Sequence, residues 1–315
     1  MTRAAAIDCG TNSIRLLIAD ADPATGELVE LDRRMTIVRL GQGVDKTGRL
    51  APEALERTFA ACREYAEAIK AHGADKIRFV ATSASRDAEN RDEFVSGVRD
   101  ILGVEPEVIS GDEEARLSFA GALSALYERG DAHPVRSLVV DVGGGSTEFV
   151  IGTETMESAT VEAARSVDIG CVRLTERHGL TGDPLTPEQI AAVRADIDKA
   201  LDQVAETVPL TEAHTVVGLA GTVTTLAGIA LQLPAYDSAA IHRSVLSYHQ
   251  VKSVTHRLLR ATHDERAAIP VMHPGRVDVI CAGALIVLAI MERTGTRDLL
   301  VSEHDILDGI LWSLV

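Results

Sequence analysis

The sequence predicts an α/β fold made of two similar domains, and three observations support that prediction. The chain has 315 residues, which is the length of about two domains of roughly 150 residues each. Apolar strand-like runs alternate with helical segments, as in a sheet with parallel strands that is covered by helices. A strand–turn–strand unit also occurs twice, at residues 7–18 and again at 140–151. Such a long-range repeat indicates duplicated architecture.

The expected elements follow from this pattern in chain order. After the hairpin at 7–18 we expect a strand at 35–40, a helix at 52–72, a strand at 77–82, a helix at 90–102, a short strand at 108–110 and a helix at 112–129. After the hairpin at 140–151 we expect a long helix, a strand at 215–219, a buried helix at 279–291 and a last helix at 302–314. The long helix begins with Thr186 as N-cap, Pro187 in the first turn and Gln189 at the third position.

The polar, turn-rich segment 129–134 marks the predicted domain boundary. We therefore expect an N-terminal domain at residues 1–130 and a C-terminal domain at 131–300. The last helix, within residues 301–315, is expected to pack back on the N-terminal domain. Its apolar positions follow helical spacing: Ile306, Leu307, Ile310, Leu311 and Leu314.

Composition and charge exclude several classes of protein. The chain is 46% hydrophobic and 25% charged, as in ordinary globular proteins, and its net charge of −16 disfavours a nucleic-acid binder. The longest apolar run, at 279–291, is too short to span a bilayer, and no signal-peptide pattern is visible. We therefore expect a cytoplasmic protein without membrane contact. The cysteines are far apart in sequence and form no CxxC pattern, which indicates reduced, buried thiols at Cys9, Cys62, Cys171 and Cys281.

The stretch VVDVGGGSTEFVIG, at residues 139–152, is the first candidate for chemistry. Glycine allows the backbone to approach a ligand closely, and successive N–H groups in such a turn form an anion-binding nest. A plain tight hairpin is the alternative, but it usually needs only one or two glycines. The stretch therefore favours phosphate binding. The candidate phosphate-binding residues of the two repeated turns are Gly10, Thr11, Asn12 and Ser13 in the first, and Gly143, Gly144, Gly145, Ser146 and Thr147 in the second.

Three shorter motifs are each ambiguous alone. In GLAGTVTTL, at 218–226, a strand leads through Gly221 and Thr222 into a helix. This pattern indicates either an anion site at the helix N-terminus or only a tight turn between strand and helix. In ATSASR, at 81–86, Arg86 is either a phosphate-binding arginine or a surface residue. In SGDEEAR, at 110–116, the acids either complement the helix dipole or orient a water and a cation. GxxxxGK[ST], GxGxxG and HExxH are absent. The His-Asp pairs at 263–264 and 304–305, which could suggest a His/Asp metal phosphohydrolase, are interpreted as solvated helix residues.

With these motifs assembled, the chain resembles the exopolyphosphatase and guanosine pentaphosphate phosphohydrolase (Ppx/GppA) family. The matching segments, in family order, are DCGTNSIRL at 8–16, ATSASR at 81–86, ISGDEEAR at 109–116, DVGGGSTE at 141–148 and GLAGTVTTL at 218–226. The resemblance implies two actin-like (ribonuclease H-like) domains with a cleft between them, as in the sugar-kinase and heat-shock ATPase superfamily. It also implies a homodimer and a two-domain short form.

The resemblance implies a role for each matching residue. Glu114 would activate the attacking water, Arg86 would bind the phosphate being cleaved, and Glu148 would contribute to catalysis. Asp141, Glu148 and Asp8 would hold Mg²⁺, or Mn²⁺ in its place. A metal is also a physical expectation, because carboxylates repel a polyanion unless a cation lies between them.

Several functions fit these motifs. The leading hypothesis is a Mg²⁺-dependent exopolyphosphatase that acts on short chains of inorganic polyphosphate. The alternative is a guanosine pentaphosphate 5′-phosphohydrolase, although the 3% aromatic content offers few residues to stack on a base, with Tyr236 and Tyr248 as candidates. The E-E-A-R carboxylate argues against a sugar-kinase-like phosphotransferase or an ATPase. A non-catalytic phosphate sensor would not need the intact carboxylate set Asp8, Glu114, Asp141 and Glu148.

Overall fold

The computed structural model describes residues 1–126, 135–154, 159–180 and 183–315. The chain divides into unit 1, which comprises Met1–Gly121 and Ile306–Val315, and unit 2, which comprises Ala122–Asp305. The predicted boundary segment at 129–134 lies outside the described residues.

Unit 1 is built on a five-stranded sheet with the strand order β3-β2-β1-β4-β5. Neighbours β1, β2 and β3 are antiparallel, whereas β4 runs parallel to β1 and to β5. Its strands are β1 (Thr2–Cys9), β2 (Ser13–Asp22), β3 (Glu27–Ile37), β4 (Lys76–Ala81) and β5 (Glu107–Val108). The helices that follow in the chain up to residue 126 are α1 (Val44–Thr47), α2 (Pro52–His72), α3 (Ser83–Arg86), α4 (Arg91–Leu102) and α5 (Gly111–Leu126).

The central strands of unit 1 are apolar throughout because both faces of the sheet are buried. Alternate residues of a strand point to opposite faces. Ile7 accordingly lies in one core cluster with residues of α2 and α4, whereas its neighbour Ala6 lies in another cluster with Leu17 and Ile310. A strand buried on both faces gives a continuous apolar run instead of alternation.

Unit 2 is built on a six-stranded sheet with the order β10-β11-β9-β6-β7-β8. Five of its strands, in the order β11-β9-β6-β7-β8, repeat the order and directions of β5-β4-β1-β2-β3. The strands are β6 (Val135–Val142), β7 (Thr147–Glu154), β8 (Ala159–Val167), β9 (Thr215–Leu219), β10 (Val245–Ser247) and β11 (Asp298–Val301). The helices are α6 (Cys171–Arg177), α7 (Pro187–Ala205), α8 (Ala220–Ala230), α9 (Ser238–Ile241), α10 (Tyr248–Arg260), α11 (His263–Ala267) and α12 (Ile280–Thr294), with a 3₁₀ turn at Pro274–Arg276.

The repeat seen in the sequence is confirmed in the hairpin turns. In β1–β2 the N–H of Gly10 donates to the carbonyl of Ser13 at 3.0 Å. In β6–β7 the N–H of Gly143 donates to the carbonyl of Ser146 at 3.1 Å. The two hairpins therefore have the same turn and the same register, since the residues that face each other across the strands occupy equivalent positions in both.

Most predicted elements are confirmed, including the helix at 52–72 and the strand at 215–219. The predicted capping box of α7 is present, with Thr186 accepting from the N–H of Gln189. The strand expected at 35–40 was placed wrongly, because β3 begins at Glu27 and ends at Ile37. The exposed, charged residues of β3 lack the apolar pattern by which a strand is recognised in a sequence. The helix predicted at 112–129 is seen as α5 up to Leu126, and its last residues lie outside the described part of the chain.

The last helix, α13 (Ile306–Trp312), belongs to unit 1 and is shorter than predicted. It begins at residue 306 because residues 302–305 form a polar turn after β11. Ile306, Leu307, Ile310 and Leu311 are buried against residues of β1 and β2. Within the described ranges, no helix, including the 15-residue α12, is both long and apolar enough to cross a membrane.

The close packing of α13 on α5 gives a test of this docking. A Cβ added at Gly309 would lie 2.0 Å from the carbonyl oxygen of Leu117, a backbone atom that cannot rotate away. We expect Gly309→Ala to lower the free energy of unfolding by at least about 2 kcal/mol, as in overpacked cores. Chemical denaturation measures this. Gly97→Ala is the control, because its Cβ would meet only the ring of Phe59, and an equal loss in both variants would contradict the docking.

Candidate active site

Three polar turns of unit 1 meet at the carboxyl ends of its parallel strands. The register pairs Cys9 with Ala81 and Ala81 with Val108, so β1, β4 and β5 end side by side. The N–H of Thr82 donates to the carbonyl of Cys9 at 3.2 Å, and that of Ile109 donates to the carbonyl of Ala81 at 3.1 Å. Ligands of α/β sheets bind at this edge. The turns at 10–13, 82–86 and 109–114 are therefore neighbours.

Glu114 and Arg86, which come from different motifs, are in direct contact. Nη1 of Arg86 donates to Oε2 of Glu114 at 3.1 Å and to the carbonyl of Ile109 at 3.0 Å. Glu114 lies in the first turn of α5 and is 8% exposed. The two bonds hold the guanidinium in a fixed direction. A carboxylate and an arginine are thus placed together where a phosphate and a water could be bound.

The turn after β1 contains buried polar atoms without a partner in the described part of the chain. Thr11 Oγ1 and Asn12 Oδ1 are buried and have no hydrogen-bond partner among the described residues, and the same holds for Ser85 Oγ after β4. Residues 38–41 hold the backbone of the turn, since the N–H of Gly41 donates to the carbonyl of Thr11 at 2.9 Å. Burying an unpaired hydroxyl is costly unless a ligand or water completes it. The hydroxyl of Thr11 can donate to a phosphate oxygen and therefore supports the predicted phosphate-binding role of the first turn, whereas Asn12 Oδ1 is an acceptor and needs a donor such as water.

Asp8 is held by an arginine that the sequence reasoning did not assign. Arg15 lies opposite Asp8 across the hairpin, and its Nε and Nη2 donate to Asp8 Oδ2 at 2.9 and 2.7 Å. The equivalent pair in the second hairpin is Asp141 and Glu148, two acids. A metal site would therefore have to use an Asp8 carboxylate that is already ion-paired. The metal-binding role of Asp8 stays a prediction.

Asp141 and Glu148 are the best candidates for cation ligands. Both are buried, 7% and 1% exposed, and they face each other across β6 and β7. Ser166 on β8 donates its hydroxyl to Glu148 Oε1 at 2.7 Å. Two carboxylates this close repel each other unless a cation or proton lies between them. No group of three Asp, Glu, His or Cys in the described ranges is arranged to hold a metal. Mg²⁺ usually binds one or two carboxylates plus water and substrate phosphates, and the metal-binding role of Asp141 and Glu148 stays a prediction.

The three-glycine turn is held from one side by α6. The N–H of Cys171 donates to the carbonyl of Gly143 at 3.0 Å. The N–H groups of Val172 and Arg173 donate to the carbonyl of Gly144 at 2.9 and 3.1 Å. A Cβ on the residue before them, Gly170, would lie 2.3 Å from the carbonyl oxygen of Gly144. This close approach explains the glycine there.

The third carbonyl of the turn is bound by a side chain. Nε of Arg173 donates to the carbonyl of Gly145 at 2.7 Å. In a trans peptide the N–H points away from the C=O of the same unit. With three carbonyls directed at α6, the N–H groups of Gly144, Gly145 and Ser146 point to the opposite side, as an anion nest requires.

Thr147 and the start of α8 complete the unit 2 candidates. The hydroxyl of Thr147 donates to the carbonyl of Ile169, so its predicted contact with phosphate would require a change of partner. Gly221 and Thr222 follow β9, which ends beside β6, and Ala220 before them has a left-handed φ of 66°. Such strain in a non-glycine residue is typical of functional turns. Arg276, another residue that the sequence reasoning missed, donates from Nη1 to the carbonyl of Gly221 at 3.0 Å.

The four cysteines are free and buried, as predicted. Burial raises the pKa of each thiol, that of Cys62 to about 12. Since the thiolate is the reactive form, we expect negligible reaction with a thiol reagent at pH 8 in the folded protein and four equivalents after unfolding. Rapid labelling of Cys9 or Cys171 in the native protein would contradict this arrangement of the turns.

The interpretation of His304 and Asp305 as solvated helix residues was wrong, because Asp305 is 3% exposed and precedes α13.

The comparison with protein-family models is decisive. The model of the Ppx/GppA phosphatase family matches residues 17–315. The chain belongs to the Ppx/GppA phosphatase family. The predicted resemblance, and with it the prediction of a phosphatase enzyme, is confirmed.

Known relatives agree with this membership. The chain is 51% identical over 325 aligned positions to Exopolyphosphatase 2 of Mycobacterium tuberculosis, covering 100% of this chain and 99% of that protein. It is 29% identical to the guanosine-5′-triphosphate,3′-diphosphate pyrophosphatase of Aeromonas salmonicida, covering 99% of this chain and 59% of the relative. The crystal structure of an exopolyphosphatase-like protein superposes with a TM-score of 0.91 at 45% identity, covering 99% of this chain and 98% of the other. These neighbours confirm the predicted fold class of two actin-like α/β domains.

Proposed function

We propose that this Ppx/GppA protein is an exopolyphosphatase that removes the terminal phosphate from inorganic polyphosphate, with short chains as substrates. The observation that supports this most is the pairing of Glu114 with Arg86 at the carboxyl edge of the unit 1 sheet. A water-activating carboxylate beside a phosphate-binding arginine is what hydrolysis of a phosphoanhydride requires. The name of the 51% identical relative points to the same substrate.

In the proposed reaction, the oxygen of a water forms a bond to the terminal phosphorus, and the bond from that phosphorus to the bridging oxygen breaks. Glu114 accepts a proton from the water, and the shortened chain leaves with its oxygen negatively charged. Arg86 stabilises the charge that spreads over the terminal phosphoryl oxygens. The outward N–H groups of the three-glycine turn bind phosphate oxygens of the substrate.

We propose Asp141 and Glu148 as the protein ligands of Mg²⁺, with Asp8 as a further contributor. A bound Mg²⁺ supplies positive charge that offsets the repulsion between substrate and carboxylates. Mn²⁺ has the same preference for oxygen ligands and should replace it. We expect Glu148→Gln to raise the Mg²⁺ concentration for half-maximal activity by about tenfold, the loss typical of a changed metal environment. A Mg²⁺ titration measures this, and an unchanged midpoint would remove Glu148 from the metal site.

The substrate assignment is tested by phosphate release in parallel from tripolyphosphate, long-chain polyphosphate and guanosine pentaphosphate, each with and without Mg²⁺. The proposal predicts the highest kcat/KM with tripolyphosphate and no release without a divalent cation. Faster turnover of guanosine pentaphosphate would make the alternative function the correct one. If the wild type cleaved none of the three, a non-catalytic sensor would be the better account.

One observation favours the alternative of a guanosine pentaphosphate 5′-phosphohydrolase. Tyr236 is 44% exposed, and its hydroxyl donates to Glu303 Oε1 at 2.6 Å and accepts from the hydroxyl of Thr224 of α8 at 2.8 Å. Its ring is thus fixed near the turn that carries Gly221, where it could stack on a base. Tyr236→Ala should then lower kcat/KM for guanosine pentaphosphate while sparing tripolyphosphate.

We also propose that the protein acts in the cytoplasm as a homodimer that binds neither nucleic acid nor membrane. The unpaired cysteines are consistent with a reducing compartment. The net charge of −16 is unfavourable for contact with a nucleic-acid backbone. Light scattering coupled to size-exclusion chromatography measures the oligomeric state, and a monomeric mass would reject the dimer.

A further inference from the structure

The sequence of the three-glycine turn leaves the orientation of its peptides weakly restrained. Glycine populates many backbone conformations, so three glycines in a row place little restraint on the orientation of their peptides. If the peptide that joins Gly145 to Ser146 turned over, its carbonyl oxygen would replace the N–H on the side where an anion binds. An anion nest made of glycines therefore needs an external restraint on each peptide.

The first two peptides receive that restraint from the backbone of α6. The carbonyls of Gly143 and Gly144 accept hydrogen bonds from three successive N–H groups, those of residues 171–173. Gly170 lies against the Gly144 peptide so closely that no side chain fits between them. These contacts depend on main-chain atoms and persist whatever the side chains of α6 are.

The third peptide is different, because its carbonyl is held by the side chain of Arg173. The bond from Nε to the carbonyl of Gly145 is 2.7 Å long, which is the length of a strong, charge-assisted hydrogen bond. The Arg173 side chain is 10% exposed, and its Nη2 lies 3.8 Å from Asp168 Oδ1, so the guanidinium is oriented from a second side. Gly145 itself is buried, and its carbonyl would be costly to leave unpaired.

We propose that Arg173 is a positioning residue, which fixes the Gly145 peptide so that the N–H of Ser146 faces the phosphate of the substrate. This inference rests on the proposed phosphate-binding role of the turn and assigns to Arg173 no contact with the substrate. It predicts that loss of the Arg173 side chain weakens anion binding by loosening a peptide, with the fold retained. The hydrogen bond, more than the positive charge, is the feature that matters.

The test uses the full-length protein labelled with ¹⁵N-glycine and ¹⁵N-serine, with imidodiphosphate, a hydrolysis-resistant pyrophosphate analogue, as the probe. The variants are Arg173→Ala, Arg173→Gln, which keeps an N–H donor without charge, and Arg173→Lys. The control is Arg177→Ala on the same helix, which removes an arginine paired with Asp196 at 2.8 Å. Each protein is titrated with the probe, and the amide signals of Gly144, Gly145 and Ser146 are followed in the free and bound states. Thermal unfolding checks the fold.

We expect Arg173→Ala to weaken imidodiphosphate binding about tenfold, because a tenfold change corresponds to about 1.4 kcal/mol, the size of one hydrogen bond. We also expect it to shift or broaden the Gly145 and Ser146 amide signals before any probe is added. Arg173→Gln and Arg173→Lys should each restore binding to within about threefold of the wild type, if they recover most of that bond. Arg177→Ala should match the wild type. If Arg173→Ala does not fold, Arg173→Met takes its place with the same expected result, because methionine keeps most of the side-chain volume and removes every N–H donor.

Three results would overturn the inference in distinguishable ways. Wild-type amides that do not respond to the probe would reject the phosphate-binding role of the turn, and the inference with it. A wild-type response with undiminished affinity in Arg173→Ala would reject only the role of Arg173. Weakened binding with unchanged free-state amide signals would mean that Arg173 contacts the anion directly and is not a positioning residue.

Discussion

Replacing Glu114 by glutamine is expected to lower kcat for tripolyphosphate by at least about a thousandfold, within the range for loss of a general base. The amide has nearly the shape of the carboxylate and can still accept a hydrogen bond from Nη1 of Arg86, but it cannot accept a proton from water. KM should change little, because the phosphates are bound elsewhere. Steady-state kinetics at saturating Mg²⁺ measure both parameters.

The adjacent acid provides the matched control for this variant. Glu113 lies in the same first turn of α5, but its carboxylate is bound to Arg78 at 2.9 Å and its side chain is 47% exposed. Glu113→Gln should keep kcat within about twofold of the wild type, since surface ion pairs contribute little. If Glu113→Gln lost as much activity as Glu114→Gln, the loss would reflect the negative charge of the first turn and not a specific role of Glu114. If Glu114→Gln stayed active, another group would have to activate the water.

Adding a single methyl group at Gly170 is expected to lower kcat/KM by about a hundredfold, the usual effect of displacing a binding group by about 1 Å. The new Cβ would lie 2.3 Å from the carbonyl oxygen of Gly144 and 2.5 Å from the nitrogen of Gly145. Both are backbone atoms, so the glycine turn or α6 has to move. Gly170 has an extended φ of −137°, which alanine adopts without strain, so the effect isolates the steric clash.

Gly228→Ala is the control for Gly170→Ala. It adds the same methyl group in unit 2, but there the Cβ would meet only the side chain of Val271, at 3.2 Å. Activity should stay within about twofold of the wild type, since contact with a movable side chain is relieved by a small shift. Both variants should retain their circular dichroism spectra. Wild-type activity in a folded Gly170→Ala protein would show that the geometry of the glycine turn is not needed for turnover.

The hairpins and their turns could be predicted from sequence because all the information is local. An apolar strand, an acid, a small-residue turn and a second apolar strand fix the hairpin, and repetition of the pattern implied the duplicated sheets. β3 could not be predicted in full, because an exposed edge strand has no alternating pattern. The short strands β10 and β11 were missed for a similar reason, since three and four residues carry too little signal.

The sequence predicted the individual motifs of the site but not the contacts between them. Glu114 and Arg86 each stood out in a motif, but their contact depends on β4 and β5 being neighbours, which no spacing in the sequence reveals. No sequence motif pointed to Arg173, because it lies in α6, outside the recognised motifs, and its partner Gly145 is far from it along the chain. Arg15 was visible within its motif, and the register of the hairpin would have placed it opposite Asp8.

The central claim is that water attacks the terminal phosphorus of a polyphosphate chain. It is tested most directly by letting the protein hydrolyse tripolyphosphate in ¹⁸O-labelled water and measuring the label in both products by ³¹P NMR. The account predicts one ¹⁸O in each released orthophosphate and none in the pyrophosphate that remains. Label in the pyrophosphate would mean attack at an inner phosphorus, and absence of turnover would mean that the protein is no exopolyphosphatase; either result would contradict the account.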